Sequence, residues 1–205
     1  MVLSKNTASV RSFIFDDKKA VLSLVKRNGS LLEYLPEKLR ADREVVLAAV
    51  QNDGYALIHA SSDLRADREV VSTAVQNDGY ALRHASDDLR ADREVVLAAV
   101  REHGNVLEYV SDDLRADRKV VLAAVRKRGT ALQYASDDLR ADRKVVLTAV
   151  RTWAYSIRYA SESLLCDRII TKYIKQTDVN NSAGVIKYEA LYYHTLKYQK
   201  TQNLV

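Results

Sequence analysis

Residues 86–100 read SDDLRADREVVLAAV and residues 111–125 read SDDLRADRKVVLAAV, so the two stretches differ only at Glu94 against Lys119. Extending the comparison in both directions gives an aspartate column, Asp17, Asp42, Asp67, Asp92, Asp117, Asp142 and Asp167, with a constant step of 25 residues. A glycine column runs through Gly29, Gly54, Gly79, Gly104 and Gly129 and lapses to Ala154. A fixed period of this size is the signature of a tandem array, in which no single unit can bury its apolar face and its neighbours do so for it.

Within one copy the residues dictate the elements. Asp42 is a good N-cap, because its carboxylate can accept from the orphan amides of a first helical turn. Arg43 to Asn52 contains no breaker, and Val45, Val46, Ala49 and Val50 form a helical stripe, not a strand alternation. The valines are weak helix formers alone, so packing must supply the stability, and Ala48 and Ala49 let neighbours approach closely. Gly54 is expected to supply the left-handed residue that ends the helix. The following YALIHAS, with Ala56, Leu57 and Ala60 apolar, reads as a second, shorter helix, and SDDLRA reads as a turn or single helical turn. Pro36 occupies the serine column of the first copy, where a helix start tolerates a missing amide.

The expected fold is therefore all-α, an α-solenoid of tandem 25-residue helix-turn-helix repeats with a helical C-terminal extension. Residues 1–13 form an N-terminal segment or cap, residues 14–163 six tandem repeats, residues 164–176 a degenerate capping repeat, and residues 177–205 a linker and a Tyr/Lys-rich helix. In the degenerate copy Ile170 and Ile174 keep the inner positions, while Thr171 and Lys175 replace valines, as a terminal unit requires. The start, with Lys5 and Arg11 and no acid before Asp16, is acid-poor like an organelle transit peptide, although a short cap ahead of the first repeat is the favoured reading.

The pattern LRADREVVLAAV followed by G, AL, YASDD resembles a short tandem helical repeat known only as a domain of unknown function, found in protists, large DNA viruses and intracellular bacteria. The resemblance covers residues 14–167 and leaves residues 168–205 outside. It implies an all-helical array and carries no catalytic or binding residue across.

Composition restricts function further. With 47% hydrophobic and 29% charged residues the chain has the balance of a folded protein, and no apolar run approaches the roughly 20 residues of a membrane span. A single cysteine, Cys166, rules out an internal disulfide framework and fits an intracellular, reducing compartment, cytoplasmic first and mitochondrial as the alternative. No nucleophile, base and orienting group recur together and no phosphate-binding glycine loop is present, so an enzyme, a metal centre and a cofactor are not expected. His59 and His84 share a column with Tyr34, Tyr109, Tyr134 and Tyr159, which reads as a half-buried aromatic column before a metal site, since zinc wants four ligands. The Arg and Asp of LRADR are expected to cap helices and pair between copies, in preference to binding phosphates.

Charge is polarised. Residues 39–113 hold 8 Lys/Arg against 15 Asp/Glu, whereas residues 114–205 hold 17 against 8. The positions just ahead of each glycine vary most, from Gln51-Asn52-Asp53 to Arg126-Lys127-Arg128 and Arg151-Thr152-Trp153, and variation amid repetition marks solvent- or partner-facing sites. The candidate partner-binding residues are Arg126, Lys127, Arg128, Arg151, Trp153 and Arg158 in the repeats, and Lys187, Tyr188, Tyr192, Tyr193, Lys197 and Tyr198 in the tail. The expected function is a non-catalytic scaffold or adaptor, a structural or accessory subunit of a larger multiprotein assembly. The alternative is an RNA-binding helical array that uses the basic C-terminal half, and anionic lipid heads would satisfy the same sign.

Overall fold

The computed structural model describes residues 15–177, and these are helical throughout, with no strand among them. The Lys/Tyr tail and the first 14 residues lie outside the described residues. Seven ten-residue helices set the period: α1 Lys18–Arg27, α2 Arg43–Asn52, α3 Arg68–Asn77, α4 Arg93–Glu102, α5 Arg118–Lys127, α6 Arg143–Thr152 and α7 Arg168–Thr177. After each of α1 to α6 come a six-residue 3-10 helix, Gly54–His59 in the second copy, and a four-residue α-helix, there Ser62–Arg65.

The aspartates cap as their chemistry demands. Asp42 Oδ1 accepts from the amides of Glu44 and Val45 at 3.0 and 3.2 Å, and Asp67, Asp117 and Asp142 repeat the geometry. The other end differs from the sequence expectation. Among the described residues no glycine adopts a positive φ, so Gly54 is not a left-handed helix terminator. Asp53 ends α2 by turning extended, at φ −141° and ψ 103°, and its side chain then accepts from Tyr55 N–H to start the 3-10 helix. The reason for the glycine lies in the next copy: a Cβ built on Gly54 would stand 2.4 Å from the Ala74 carbonyl oxygen and 2.9 Å from the Asp78 nitrogen. The expected second helix is likewise a 3-10 helix. Its buried residues are Gly54, Ala56 and Leu57, and Ala60 is buried just past its end. Gly54, Leu57 and Ala60, three apart, share one side of a three-residue turn, with Ala56 buried beside them.

The chain divides into two compact units between Glu102 and His103. In the first, α1 to α4 pack each on the next, and the 3-10 helices do the same alongside, giving two layers. Val45, Val46, Ala49, Val50 and Leu57 have no exposed surface, and their counterparts Val70, Val71, Ala74, Val75 and Leu82 have none either. Neighbouring copies also share main-chain hydrogen bonds, from Ser61 N–H to Arg40 O at 3.0 Å and from Ser86 N–H to Arg65 O at 2.9 Å. Pro36 has no amide to donate in this column, and its φ of −56° suits the residue that precedes the helix Glu37–Arg40. The second unit repeats the plan, α5 packing on α6 and α6 on α7, with Ser136 and Ser161 bonded to Arg115 and Arg140. At its end Ile170 and Ile174 are buried while Thr171 is half-buried and Lys172 exposed.

Candidate functional site

The repeated charges are largely taken up inside the array. Lys18 Nζ lies 2.8 Å from Asp42, Arg43 Nε 2.9 Å from Asp67 and Arg68 Nε 3.0 Å from Asp92. In the second unit Arg118 meets Asp142 at 3.0 Å and Arg143 meets Asp167 at 2.8 Å. Each of these aspartates both caps its own helix and receives the cation of the preceding copy. Paired guanidinium groups hold Asp67, Asp92 and Asp142 below the usual carboxylate range, with backbone amides adding to the effect. At Asp42 and Asp167 desolvation opposes and is the largest single influence, yet the cation and the capping amides prevail. In the first unit the cation also reaches a second acid, Lys18 to Glu44, Arg43 to Glu69 and Arg68 to Glu94. In the second unit the same column carries Lys119 and Lys144.

A depressed carboxylate pKa contributes stability that is complete above the unfolded value, about 4, and is lost as pH falls through the folded value. The melting temperature is therefore expected to stay level above about pH 5 and to fall below about pH 4. Replacing Asp67, Asp92 and Asp142 together by Asn keeps the caps, because Asn caps as well as Asp, and should flatten that acid limb in a melting series against pH. An unchanged limb in the triple variant would place the acid-sensitive groups elsewhere.

A second set of positions behaves differently in the two units. At the start of each 3-10 helix in the first unit, Asn28, Asp53 and Asp78 cap with their side chains, onto Ser30, Tyr55 and Tyr80 N–H. One residue earlier, Asn52 Oδ1 accepts from Gly29 N–H of the preceding copy at 2.7 Å, and Asn77 from Gly54 N–H at 2.8 Å. The second unit carries His103, Arg128 and Trp153 at the capping position, and none of them makes a side-chain cap. Lys127 and Thr152 stand in the asparagine column. Lys127 has only donors to offer, and the Thr152 hydroxyl donates to Thr148 O at 3.2 Å.

These positions border an open cavity of about 410 Å³ lined by Lys127, Arg128, Gly129, Thr130, Thr152 and Trp153. The Trp153 side chain, 42% exposed, leans on Tyr155 with ring centroids 5.3 Å apart. Arg126, Lys127 and Arg128 are exposed and pair with no carboxylate among the described residues. Of the sequence candidates, Lys127, Arg128 and Trp153 are thus brought together, and Arg126 is exposed next to them in the chain. Arg151 and Arg158 do not line the cavity: Arg151 lies over the Tyr173 ring at 5.8 Å and Arg158 over Tyr159 at 5.5 Å. Lys187, Tyr188, Tyr192, Tyr193, Lys197 and Tyr198 lie outside the described residues. Sequence reasoning missed Gly129, Thr130 and Thr152, whose signal was the loss of the Asn-Asp pair that precedes Gly54 and Gly79.

In the aromatic column, Tyr34 is exposed and the other five residues are half-buried. His84 meets the Tyr55 ring edge-on at 5.2 Å, and burial with nearby Arg83 and Arg65 pushes its pKa down. Among the described residues no group of three or more His, Cys, Asp or Glu side chains is placed to hold a metal ion, and no helix is long and apolar enough to cross a membrane.

A family model described as Domain of unknown function (DUF4116) matches residues 17–65, 67–115 and 117–165, each match spanning two of the 25-residue copies. Comparison with curated proteins and with solved structures found no match.

Proposed function

The chain belongs to the DUF4116 family, a domain of unknown function, and on that premise we propose that it is a non-catalytic scaffold or adaptor, an accessory subunit of a larger protein assembly in a reducing compartment. The observation that carries this reading is the internal pairing of the repeated charges. Arg43 with Asp67, Arg68 with Asp92 and Arg118 with Asp142 fix one copy against the next, so the repeated columns serve the array's own register. Half-exposed pairs of this kind add little energy each but define which copy sits where. What differs between copies is the exposed edge ahead of each glycine, and a scaffold needs a constant frame with individual contact positions.

The experiment is purification of the tagged full chain from its own cells, before and after RNase, at low and high salt. Protein partners in fixed stoichiometry that survive both treatments are expected. Recovery of the chain alone under gentle conditions removes the scaffold reading.

A further inference from the structure

We propose that the cavity between Arg128 and Trp153 binds single-stranded nucleic acid, phosphate on the cations and a base against the tryptophan. Three observations converge on it. The cavity, about 410 Å³, is within the range of sites that hold a group the size of a nucleotide. Its cations are uncompensated: the ladder arginines have carboxylate partners, whereas Lys127 and Arg128 have none among the described residues. Its wall includes the exposed Trp153, backed by Tyr155, which gives a planar surface beside those cations.

Anion binding alone would suit an acidic protein segment equally well. The aromatic wall decides for nucleic acid, because every base has a face to stack and an Asp or Glu side chain has none. The same wall decides for a single strand, since the bases of a duplex are already stacked on one another. Arg128 supplies a flat, forked donor that matches phosphate, and Lys127 a point charge. Thr130 and Thr152 complete the lining, and with their protons given to Asn105 Oδ1 and Thr148 O their hydroxyl oxygens are left to accept from a sugar.

The residues that line the cavity also carry a cost. Arg128 and Trp153 stand where Asp53 and Asp78 cap in the first unit, so two capping bonds are missing along the second unit's edge. Positions that give up a stabilising contact in successive copies and gain cation and ring instead are where function is expected to displace stability.

The test uses the full chain and an oligouridylate of about ten nucleotides, within the site sizes of single-strand binders. Binding is followed by anisotropy of a labelled oligomer, and by the emission of Trp153, the only tryptophan in the chain. Quenching on binding is expected. Neutralising about three phosphates predicts roughly a 20-fold loss of affinity for a fourfold rise in salt. Trp153→Ala should weaken binding about 5- to 150-fold, the range for loss of one stacked base.

The decisive variant is Lys127→Asn with Arg128→Asp, which installs the Asn52–Asp53 pair of the first unit. It is expected to melt no lower than the parent while losing more than about tenfold in affinity, so a folding defect cannot mimic the result. The deoxy oligomer separates the two sources: weaker binding identifies RNA, equal binding identifies single strands of either sugar. Unchanged affinity in the double variant, or polyglutamate of matched length that binds as tightly and quenches Trp153 as fully, overturns the proposal. The scaffold reading is tested separately, by the protein partners that the parent chain retains after RNase treatment at high salt, so either reading can fail without the other.

Discussion

Changing Val95 and Val96 together to Asp is expected to abolish the cooperative melting of the first unit. Both residues lie on α4, with 3% and 0% of their surface exposed, and α4 packs on α3 and on the 3-10 helix Gly79–His84. At that burial each carboxylate must be desolvated or protonated, at a penalty of several kcal/mol. Two such penalties approach or exceed the whole stability of an ordinary domain, about 5–15 kcal/mol. The control is Leu24→Asp on α1, where the side chain is 40% exposed and the change should stay within about 0.5 kcal/mol. Circular dichroism melting of the three proteins checks this, and near-parental melting of the double variant would refute the burial of the valine stripe.

Adding a single methyl group at Gly54 should lower stability markedly without unfolding the protein. The new Cβ would meet the Ala74 carbonyl oxygen at 2.4 Å, and that oxygen belongs to the backbone of α3, which cannot swing aside as a side chain can. Overpacking against a fixed backbone belongs at or above the upper end of its usual range, about 3 kcal/mol. For a chain of this size that corresponds to a fall in Tm of about 6–12 °C. The reverse change at the end of the array, Ala154→Gly, should move Tm little, because Ala154 is only half-buried where the five glycines are buried. A Gly54→Ala protein that melts with its parent would show that the copies can move apart without loss.

The long helices and their aspartate caps were legible in the sequence because both depend on local rules: a carboxylate before an unbroken run, and a stripe at helical spacing. The charge ladder was legible for a related reason, since Arg and Asp recur at a constant offset and must face each other when copies stack. The glycine was misread because its local rule is ambiguous. A Gly after a helix usually marks a left-handed cap, whereas here Asp53 ends the helix in an extended conformation and Gly54 makes room for a carbonyl 20 residues away. That demand is visible only once α3 is in place. The six-residue 3-10 helix was hidden in the same way. Gly54, Leu57 and Ala60 stand three apart in the sequence, but buried Ala56 blurs that period, and such helices are uncommon at this length. At the candidate site, variation pointed to Lys127, Arg128 and Trp153 without giving its meaning. What the structure added is that these positions hold capping and bridging side chains in the first unit, so their exchange removes bonds as well as adding charge.

The main-chain bond from Ser61 to Arg40, the ion pair from Arg43 to Asp67 and the contact of Gly54 with Ala74 all join one copy to its immediate successor. Inheritance acts on such an array differently from a globular domain. Slippage or unequal recombination between near-identical stretches of the gene that adds or removes one whole period restores every one of these bonds, whereas a change of any other length breaks them at the junction. Gain or loss of whole copies therefore leaves every junction intact, whereas a substitution at one of these shared contacts weakens it. New binding properties arise at little risk, by altering the edge residues of one duplicate while the others maintain the frame.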